Sequence, residues 1–127
     1  MPGQVLHGIQ RFFPDILHCN DWHTAMLPML LRTQYGYYVH GRIKTLLTIH
    51  NILYQGKFSF DFFRDLLRVE DRYFTSEFME INGCAAFLKA GCVFADRLST
   101  VSPSYADELC TPYYGEGMEG ILSARRH

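Results

Sequence analysis

The six residues 18–23, which read His-Cys-Asn-Asp-Trp-His, bring together side chains that could bind a polar ligand. They overlap the end of an apolar stretch at 15–19 that predicts a short buried β-strand. A carboxylate, an indole ring and two imidazoles offer hydrogen-bond partners and a stacking face, which suits a polyhydroxylated ligand. One alternative is a capped turn in which Asp21 is the N-cap and Trp22 is buried. A metal site is another, although two histidines five residues apart do not share a helix face and no third ligand is evident.

A second polar cluster, 48–51 (Thr-Ile-His-Asn), lies at the end of a stretch at 42–50 that predicts the next strand. A loop with Tyr-Gln-Gly at 54–56 follows it. Because the carboxyl ends of parallel strands lie at the same edge of a sheet, the two clusters should face one crevice. A histidine there can orient a sugar hydroxyl or stabilise developing negative charge. The alternative is that His50 is satisfied by backbone groups at the end of the strand.

A third cluster, 100–105 (Thr-Val-Ser-Pro-Ser-Tyr), follows a predicted strand at 97–101 and begins a helix. The amides of that helix could receive an anion. The cluster lacks the glycine-rich patterns of phosphate-binding loops, so helix capping by Ser104 is the alternative. Further along, residues 113–118 read Tyr-Tyr-Gly-Glu-Gly-Met, which suggests an ordered loop that could rim a groove.

The segments between these clusters predict the elements that would position them. Strands and helices alternate along the chain, which predicts an α/β fold with a Rossmann-like parallel sheet, flanking helices and right-handed crossovers. Pro28 lies in the first two turns of the first predicted helix and would weaken or kink it. Helices are predicted at 23–35, 59–67, 81–95, 104–109 and 120–126.

The composition favours one globular domain and argues against nucleic acid and membranes as partners. The 127 residues include 12 basic and 13 acidic side chains, and a net charge of −1 does not favour binding to nucleic acid or to an anionic membrane. No apolar run is long enough to cross a bilayer, and residues 1–10 lack the pattern of a signal peptide. The four cysteines form no Cys-x-x-Cys pair, which predicts reduced thiols in a cytoplasmic protein.

Taken together and in this order, the motifs resemble the N-terminal domain of bacterial glycogen synthases and plant starch synthases. The resemblance covers nearly all of the chain from Pro14 to His127, and the ordered set is far more specific than any one motif. The matching stretches are 14–25, 48–58, 87–91 with 95–97, 100–106 and 111–120.

The resemblance implies a retaining glucosyltransferase of the GT-B architecture, in which two Rossmann-like domains face each other across a cleft. An α-1,4-glucan acceptor such as glycogen would lie mostly against the N-terminal domain, and ADP-glucose mostly against the C-terminal one. The 4-hydroxyl at the non-reducing end of the glucan would attack the anomeric carbon, and ADP would leave. The family requires no metal and no cofactor besides the ADP-glucose donor, and neither nucleic acid nor membrane is an expected partner.

The resemblance also assigns roles to individual residues. His50 matches the active-site histidine that contacts the donor glucose, where it would position the sugar and support charge in an oxocarbenium-like transition state. Asn82 is a further expected polar contact on the opposite wall. The substrate-binding residues implied in this way are Asp21, Trp22, Asn51, Tyr54, Gln55, Gly56 and Asn82.

Two parts of the family pattern are not found in this sequence: the Lys-x-Gly-Gly-Leu loop and the nucleotide-binding C-terminal domain. We therefore expect residues 1–127 to be part of an acceptor-side N-terminal catalytic domain from a longer enzyme. The missing domain carries the cations that hold the nucleotide phosphates, and stabilising the leaving diphosphate is a central electrostatic task. The chain by itself is accordingly expected to be inactive.

Three other functions stay open at this point. One is a different GT-B sugar transferase, for example of the sucrose-synthase or trehalose type. Another is a non-catalytic glucan-binding remnant. The last is a metallohydrolase, which would bind zinc through His18, Asp21, His23 and His50.

Overall fold

A three-stranded parallel sheet with helices packed against it confirms the predicted α/β fold. The computed structural model describes residues 14–35, 42–111 and 115–125. In chain order the elements are β1 (Ile16–Asn20), α1 (Asp21–Thr24), α2 (Met26–Gln34), β2 (Lys44–Ile49), β3 (Lys57–Phe58), α3 (Phe60–Leu67), a 3-10 turn (Asp71–Tyr73), β4 (Glu80–Ile81), β5 (Cys84–Ala86), α4 (Phe87–Phe94), β6 (Arg97–Thr100), α5 (Pro103–Leu109) and α6 (Glu119–Ala124).

The parallel sheet has the order β1-β2-β6, so β2 is the central strand. Its neighbours align Cys19 with Leu47 and Leu47 with Leu98. The side chains of Cys19, Leu47 and Ile49 are buried in the main core cluster, as are Leu88 and Cys92 of α4. The sheet is thus anchored on its helix-covered face, while the carboxyl ends of β1 and β2 stay open for polar groups.

Gly91 allows α4 to approach the sheet closely. A Cβ atom at this position would lie 2.7 Å from the carbonyl oxygen of Ala25 and 2.8 Å from Cδ2 of Leu47. Such distances are well inside van der Waals contact, so the helix would have to move outward to accept a side chain. The glycine therefore sets the spacing between α4, the sheet and the junction of α1 with α2.

The single helix predicted at 23–35 is in fact two, α1 and α2, with Ala25 between them. The prediction was wrong because Pro28 has no N–H group and cannot donate to the carbonyl of Thr24. The amide of Ala25 instead donates to the carbonyl of Trp22 at 3.2 Å, which closes α1 as a separate turn. The break lets α1 follow β1 directly, with Asp21 as its first residue.

The helix predicted at 81–95 begins only at Phe87, because a β-hairpin occupies its first part. Strands β4 and β5 pair antiparallel around Asn82 and Gly83, whose φ angles of 53° and 84° are those of a tight hairpin turn with two left-handed residues. Strand β3, in a segment predicted to be loop, joins β5 to complete a second small sheet. The Asn-Gly dipeptide was the signal for this hairpin in the sequence.

The N-cap of α5 is Ser102, and not Ser104 as predicted. The Ser102 hydroxyl accepts a hydrogen bond from the amide of Tyr105 at 3.2 Å, and Pro103 fills the first helical position, where no N–H is needed. Ser59 caps α3 in the same way. Of the Tyr-Tyr-Gly-Glu-Gly-Met stretch, Tyr113 and Tyr114 lie outside the described residues.

All four cysteines are free thiols, as predicted. Burial raises the pKa of Cys19 to about 11 and that of Cys92 to about 12, so both stay protonated at neutral pH. Among the described residues, no helix combines the length and the apolar character needed to cross a membrane.

Asp96 ties together three elements at the amino edge of the parallel sheet. Its carboxylate accepts hydrogen bonds from the guanidinium of Arg32 and from the amide of Thr45, both at 2.8 Å. The Thr45 hydroxyl in turn accepts from the Asp96 amide at 3.0 Å. Partial desolvation raises the pKa of Asp96, but the Thr45 amide and the Arg32 charge outweigh it and hold that pKa below its usual value.

Replacing this carboxylate should lower stability in a pH-dependent way. We expect Asp96→Asn to lose about 1–2 kcal/mol of unfolding free energy at pH 7, allowing for the partial exposure of the pair. Because the folded-state pKa is the lower one, the stabilisation is complete above the unfolded pKa of about 3.9 and is lost as the pH falls through the folded value. Urea unfolding followed by circular dichroism from pH 7 down to about pH 2 covers the range in which the difference should disappear.

Asp65→Asn is the matched control, because Asp65 is exposed on α3. It should unfold like the wild type at every pH. Equal stability of Asp96→Asn and the wild type at pH 7 would show that the Asp96 contacts contribute nothing net.

Candidate active site

Side chains from the ends of β1 and β2 meet at the carboxyl edge of the parallel sheet. The Asp21 carboxylate accepts hydrogen bonds from the backbone amides of His50 at 2.6 Å and Asn51 at 3.2 Å. Nε2 of His50 lies 3.2 Å from Oδ1 of Asn20 and hydrogen-bonds to it. The first two sequence clusters therefore lie side by side at this edge, and the imidazole of His50 is exposed there.

Asp21 adopts a left-handed backbone conformation, with φ at 56°. Aspartate tolerates this region better than most residues, and it turns the chain sharply from β1 into α1. The strain, about 1 kcal/mol or more, is offset by two hydrogen bonds to a charged acceptor. Asp21 is not the N-cap of α1, since Asn20 holds that position, so the capped-turn alternative was wrong in this respect.

The loop after β2 is fixed by side-chain oxygens at four successive amides. The Asp21 carboxylate accepts from the first two, those of His50 and Asn51. The hydroxyl of Tyr105 accepts from the third, the amide of Ile52, at 3.1 Å. Oδ1 of Asn51 accepts from the amide of Leu53 at 3.0 Å. Tyr105 was missed as a site residue, although it belongs to the third sequence cluster; a tyrosine one turn into a helix beside the sheet edge was the available signal.

His18 and His23 point to other partners. Nε2 of His18 hydrogen-bonds to the hydroxyl of Thr48 at 2.7 Å, and that hydroxyl to Ser99 at 2.6 Å, which gives a polar row across the sheet. The ring of His23 stacks on Trp22 with centroids 4.3 Å apart. Within residues 14–35, 42–111 and 115–125, no three His, Cys, Asp or Glu side chains lie close enough to hold a metal ion together. This arrangement does not support the zinc hydrolase alternative.

Gln55 braces the loop from inside. Its side chain is only 3% exposed, and Nε2 donates to the carbonyl of Glu116 at 3.0 Å. The carbonyls of Gln55 and Gly56 accept from the amides of Leu88 and Phe87 at the start of α4, each at 3.0 Å. The loop thus supplies partners for two amides that the helix itself leaves unpaired.

Gly56 lies directly against the indole of Trp22. Its φ is +66°, and a Cβ at this position would lie 2.5 Å from Cε3 of Trp22. Trp22 is half-buried and meets Phe87 edge-on, with centroids 5.6 Å apart. A left-handed backbone and a contact this close both require glycine.

Beside Trp22 the surface opens into a cavity of about 310 Å³, whose walls include Tyr54 and Phe58. Tyr54 is 63% exposed and Phe58 36% exposed. The loop that carries His50 also lines this cavity from Leu53 onward, so the polar side chains and the aromatic surface are neighbours along the chain.

Asn82 is exposed in the turn between β4 and β5. Its Nδ2 lies 3.9 Å from the position that a Cβ of Gly117 would occupy. Asn82 therefore lies beside Gly117, next to the Glu116 carbonyl that Gln55 contacts.

Comparison with known proteins identifies relatives over nearly the whole chain. The family model described as the starch synthase catalytic domain matches residues 3–124. The glycogen synthase of Geobacillus thermodenitrificans is 48% identical over 124 residues, covering 97% of this chain and 25% of the relative. That of Clostridium novyi is 47% identical over 123 residues, covering 96% of this chain and 26% of the relative.

A solved structure shares the fold as well. The catalytic domain of starch synthase IV from Arabidopsis thaliana, bound to ADP and acarbose, superposes with a TM-score of 0.78 and 28% sequence identity. The match covers 88% of this chain and 23% of that one. The chain thus spans about a quarter of the length of the relatives that it matches.

The contact between Gly56 and Trp22 can be tested by fluorescence, because Trp22 is the one tryptophan of the sequence. In Gly56→Ala the new methyl group would collide with the indole, so we expect a shifted emission maximum and easier quenching by acrylamide. The backbone strain at positive φ should cost about 1 kcal/mol in addition.

Gly83→Ala separates these two effects. Gly83 also has a positive φ, at +84°, but a Cβ there would meet nothing within 4 Å. This control should lose stability without changing the Trp22 emission. An unchanged spectrum in folded Gly56→Ala would contradict the close packing of Trp22 on the loop.

Proposed function

Because the chain belongs to the starch synthase catalytic domain family, we propose that it forms the acceptor side of an active site that transfers glucose from ADP-glucose to an α-1,4-glucan with retention. The observation that carries the proposal is the loop held by Asp21, which presents the exposed imidazole of His50 beside Asn20. Residues 1–127 then make up part of the N-terminal domain of a cytoplasmic GT-B enzyme.

In the proposed reaction, the 4-hydroxyl oxygen at the non-reducing end of the glucan bonds to the anomeric carbon of the donor. The bond from that carbon to the diphosphate oxygen breaks, ADP leaves with the electron pair, and the hydroxyl proton is released. His50 contacts the donor glucose, positions it and supports the charge that develops on the ring. Asp21 acts through the loop, as a positioning residue, because its carboxylate holds the His50 and Asn51 amides.

The likeness to a catalytic domain solved with ADP and acarbose supports this assignment. ADP is the leaving group of the proposed reaction, and acarbose is an oligosaccharide. Trp22, Tyr54, Asn51 and Asn82 are proposed glucan contacts. The loop-bracing positions Gln55 and Gly56 stay in the proposed site, acting mainly through the shape that they give to the loop.

A surviving acceptor site should bind glycogen, and binding should depend on Asp21. We expect the chain to be retarded in a native gel that contains glycogen. Asp21→Ala removes the acceptor of two loop amides, and its affinity should fall about tenfold, the effect of losing roughly 1.4 kcal/mol. Asp21→Asn keeps an oxygen acceptor and should retain more affinity than Asp21→Ala.

Asp65→Ala, at an exposed position on α3, is the matched control and should migrate like the wild type. Circular dichroism of each variant establishes that it is folded. If glycogen does not retard the wild-type chain, the acceptor-site proposal is wrong.

Glucose transfer should be undetectable with this chain alone, because we propose that a separate domain holds the diphosphate. Incubation with ADP-glucose labelled in the sugar, followed by precipitation of glycogen, should leave no more label in the polymer than a heat-denatured sample does. Clear incorporation would show that donor activation lies within these 127 residues.

A further inference from the structure

The third polar cluster of the sequence, residues 100–105, has no part in the reaction proposed above. The amides at the start of α5 could receive an anion by sequence, but most of them are already bonded or missing. Pro103 has no N–H group. The amide of Tyr105 donates to the Ser102 hydroxyl at 3.2 Å, and that of Ala106 to the Ser102 carbonyl at 3.1 Å. The part of the cluster that reaches the site is instead the side chain of Tyr105.

We propose that Tyr105 is a positioning residue of the active site, which fixes the loop after β2 through the amide of Ile52. The inference rests on the proposed function and deepens it, because it gives a role to a residue outside the proposed donor and glucan contacts. In this role Tyr105 touches neither substrate. Its effect reaches the substrates through His50 and Asn51, the two residues directly before Ile52.

Ile52 is the point at which this loop meets the core. Its side chain is 5% exposed and belongs to the main core cluster, whereas Asn51 and Leu53 on either side are exposed. The Tyr105 hydroxyl accepts a hydrogen bond from the Ile52 amide at 3.1 Å. A buried side chain and a bonded amide on the same residue fix both the position and the orientation of the backbone there.

Tyr105 is itself held in place by the end of β6. The Ser102 hydroxyl caps its amide, and the Thr100 hydroxyl donates to the Ser102 carbonyl at 3.1 Å. The ring of Tyr105 packs against the main core cluster. Its hydroxyl therefore has a defined place relative to β6, and the bond to Ile52 ties the loop that carries His50 to that strand.

Tyr105 and Asp21 hold the same loop from two sides. Asp21 follows β1 and accepts from the amides of His50 and Asn51. Tyr105 follows β6 and accepts from the next amide along. Because β2 lies between β1 and β6, the loop that leaves β2 is restrained from both neighbouring strands. Losing either restraint lets this short segment move, so losing the second as well should add less than it does alone.

Hydrogen exchange of the loop amides tests the contact directly. Tyr105→Phe removes the acceptor and keeps the ring, so the Ile52 amide should exchange about fivefold faster, the effect of roughly 1 kcal/mol. The ring signals of His50 in nuclear magnetic resonance spectra should shift as well. Tyr73→Phe is the matched control, because it removes the hydroxyl of a buried tyrosine that accepts from Arg72 at 2.9 Å. The control should change neither readout.

A double-mutant cycle on glycogen affinity separates positioning from a general loss of stability. Native gels with a series of glycogen concentrations give the affinity of each folded variant. Tyr105→Phe should bind about threefold more weakly than the wild type, which is less than the effect of Asp21→Ala because one neutral hydrogen bond is lost and not two to a charge. The double variant should bind about tenfold more weakly, and not the roughly thirtyfold that independent effects give.

Three results overturn the positioning role while the acceptor site stands. One is an Ile52 amide that exchanges at the wild-type rate in folded Tyr105→Phe. Another is a Tyr105→Phe affinity equal to that of the wild type, and the third is a cycle in which the two effects multiply. A wild-type chain that does not bind glycogen refutes the proposed function itself, and the positioning role with it.

Discussion

The hydrogen bonds from the His50 and Asn51 amides to Asp21 are the constraint on which the site depends. After β2 the chain leaves the sheet, so its amides lose their strand partners while the backbone still turns close to the core. His50 and Asn51 are exposed, but hydrogen bonds from their amides to an ionised carboxylate are stronger than hydrogen bonds between neutral groups. The Asp21 carboxylate accepts from both amides at the end of the neighbouring strand, and in doing so it fixes the distance between the ends of β1 and β2.

A second carboxylate, that of Asp96, also joins elements through hydrogen bonds, at the opposite edge of the sheet. Asp96 accepts from the Thr45 amide and from Arg32, and so it joins α2 to the starts of β2 and β6. The two aspartates differ in what they hold: Asp96 secures elements that pack on the core, and Asp21 secures a loop that faces solvent. Global stability should therefore be more sensitive to changes at the amino edge, and ligand binding to changes at the carboxyl edge.

The sequence was informative wherever one physical signal dominated a segment. The apolar, β-branched stretches predicted all three parallel strands to within two residues at each end, because burial and β-propensity agree there. The segment 81–95 misled because Ala85, Leu88, Cys92 and Ala95 recur at helical spacing, while Asn82 and Gly83 specify a hairpin through positive φ angles. The direction of the Gln55 side chain could not be predicted, because nothing in the local pattern showed that it turns inward to the carbonyl of Glu116.

The same loop explains why an exposed apolar surface can exist beside a polar site. Its first part is held by Asp21, Tyr105 and Asn51 through four amides, and its last part by α4 through the carbonyls of Gln55 and Gly56. The crest at Leu53 and Tyr54 points outward, and because both flanks of the loop are fixed, the crest cannot collapse onto the core to bury these two side chains. Exposing them costs hydrophobic free energy in the unbound protein, about 25 cal/mol for each Å² left in water. Any ligand that covers the crest recovers that free energy without having to order the loop.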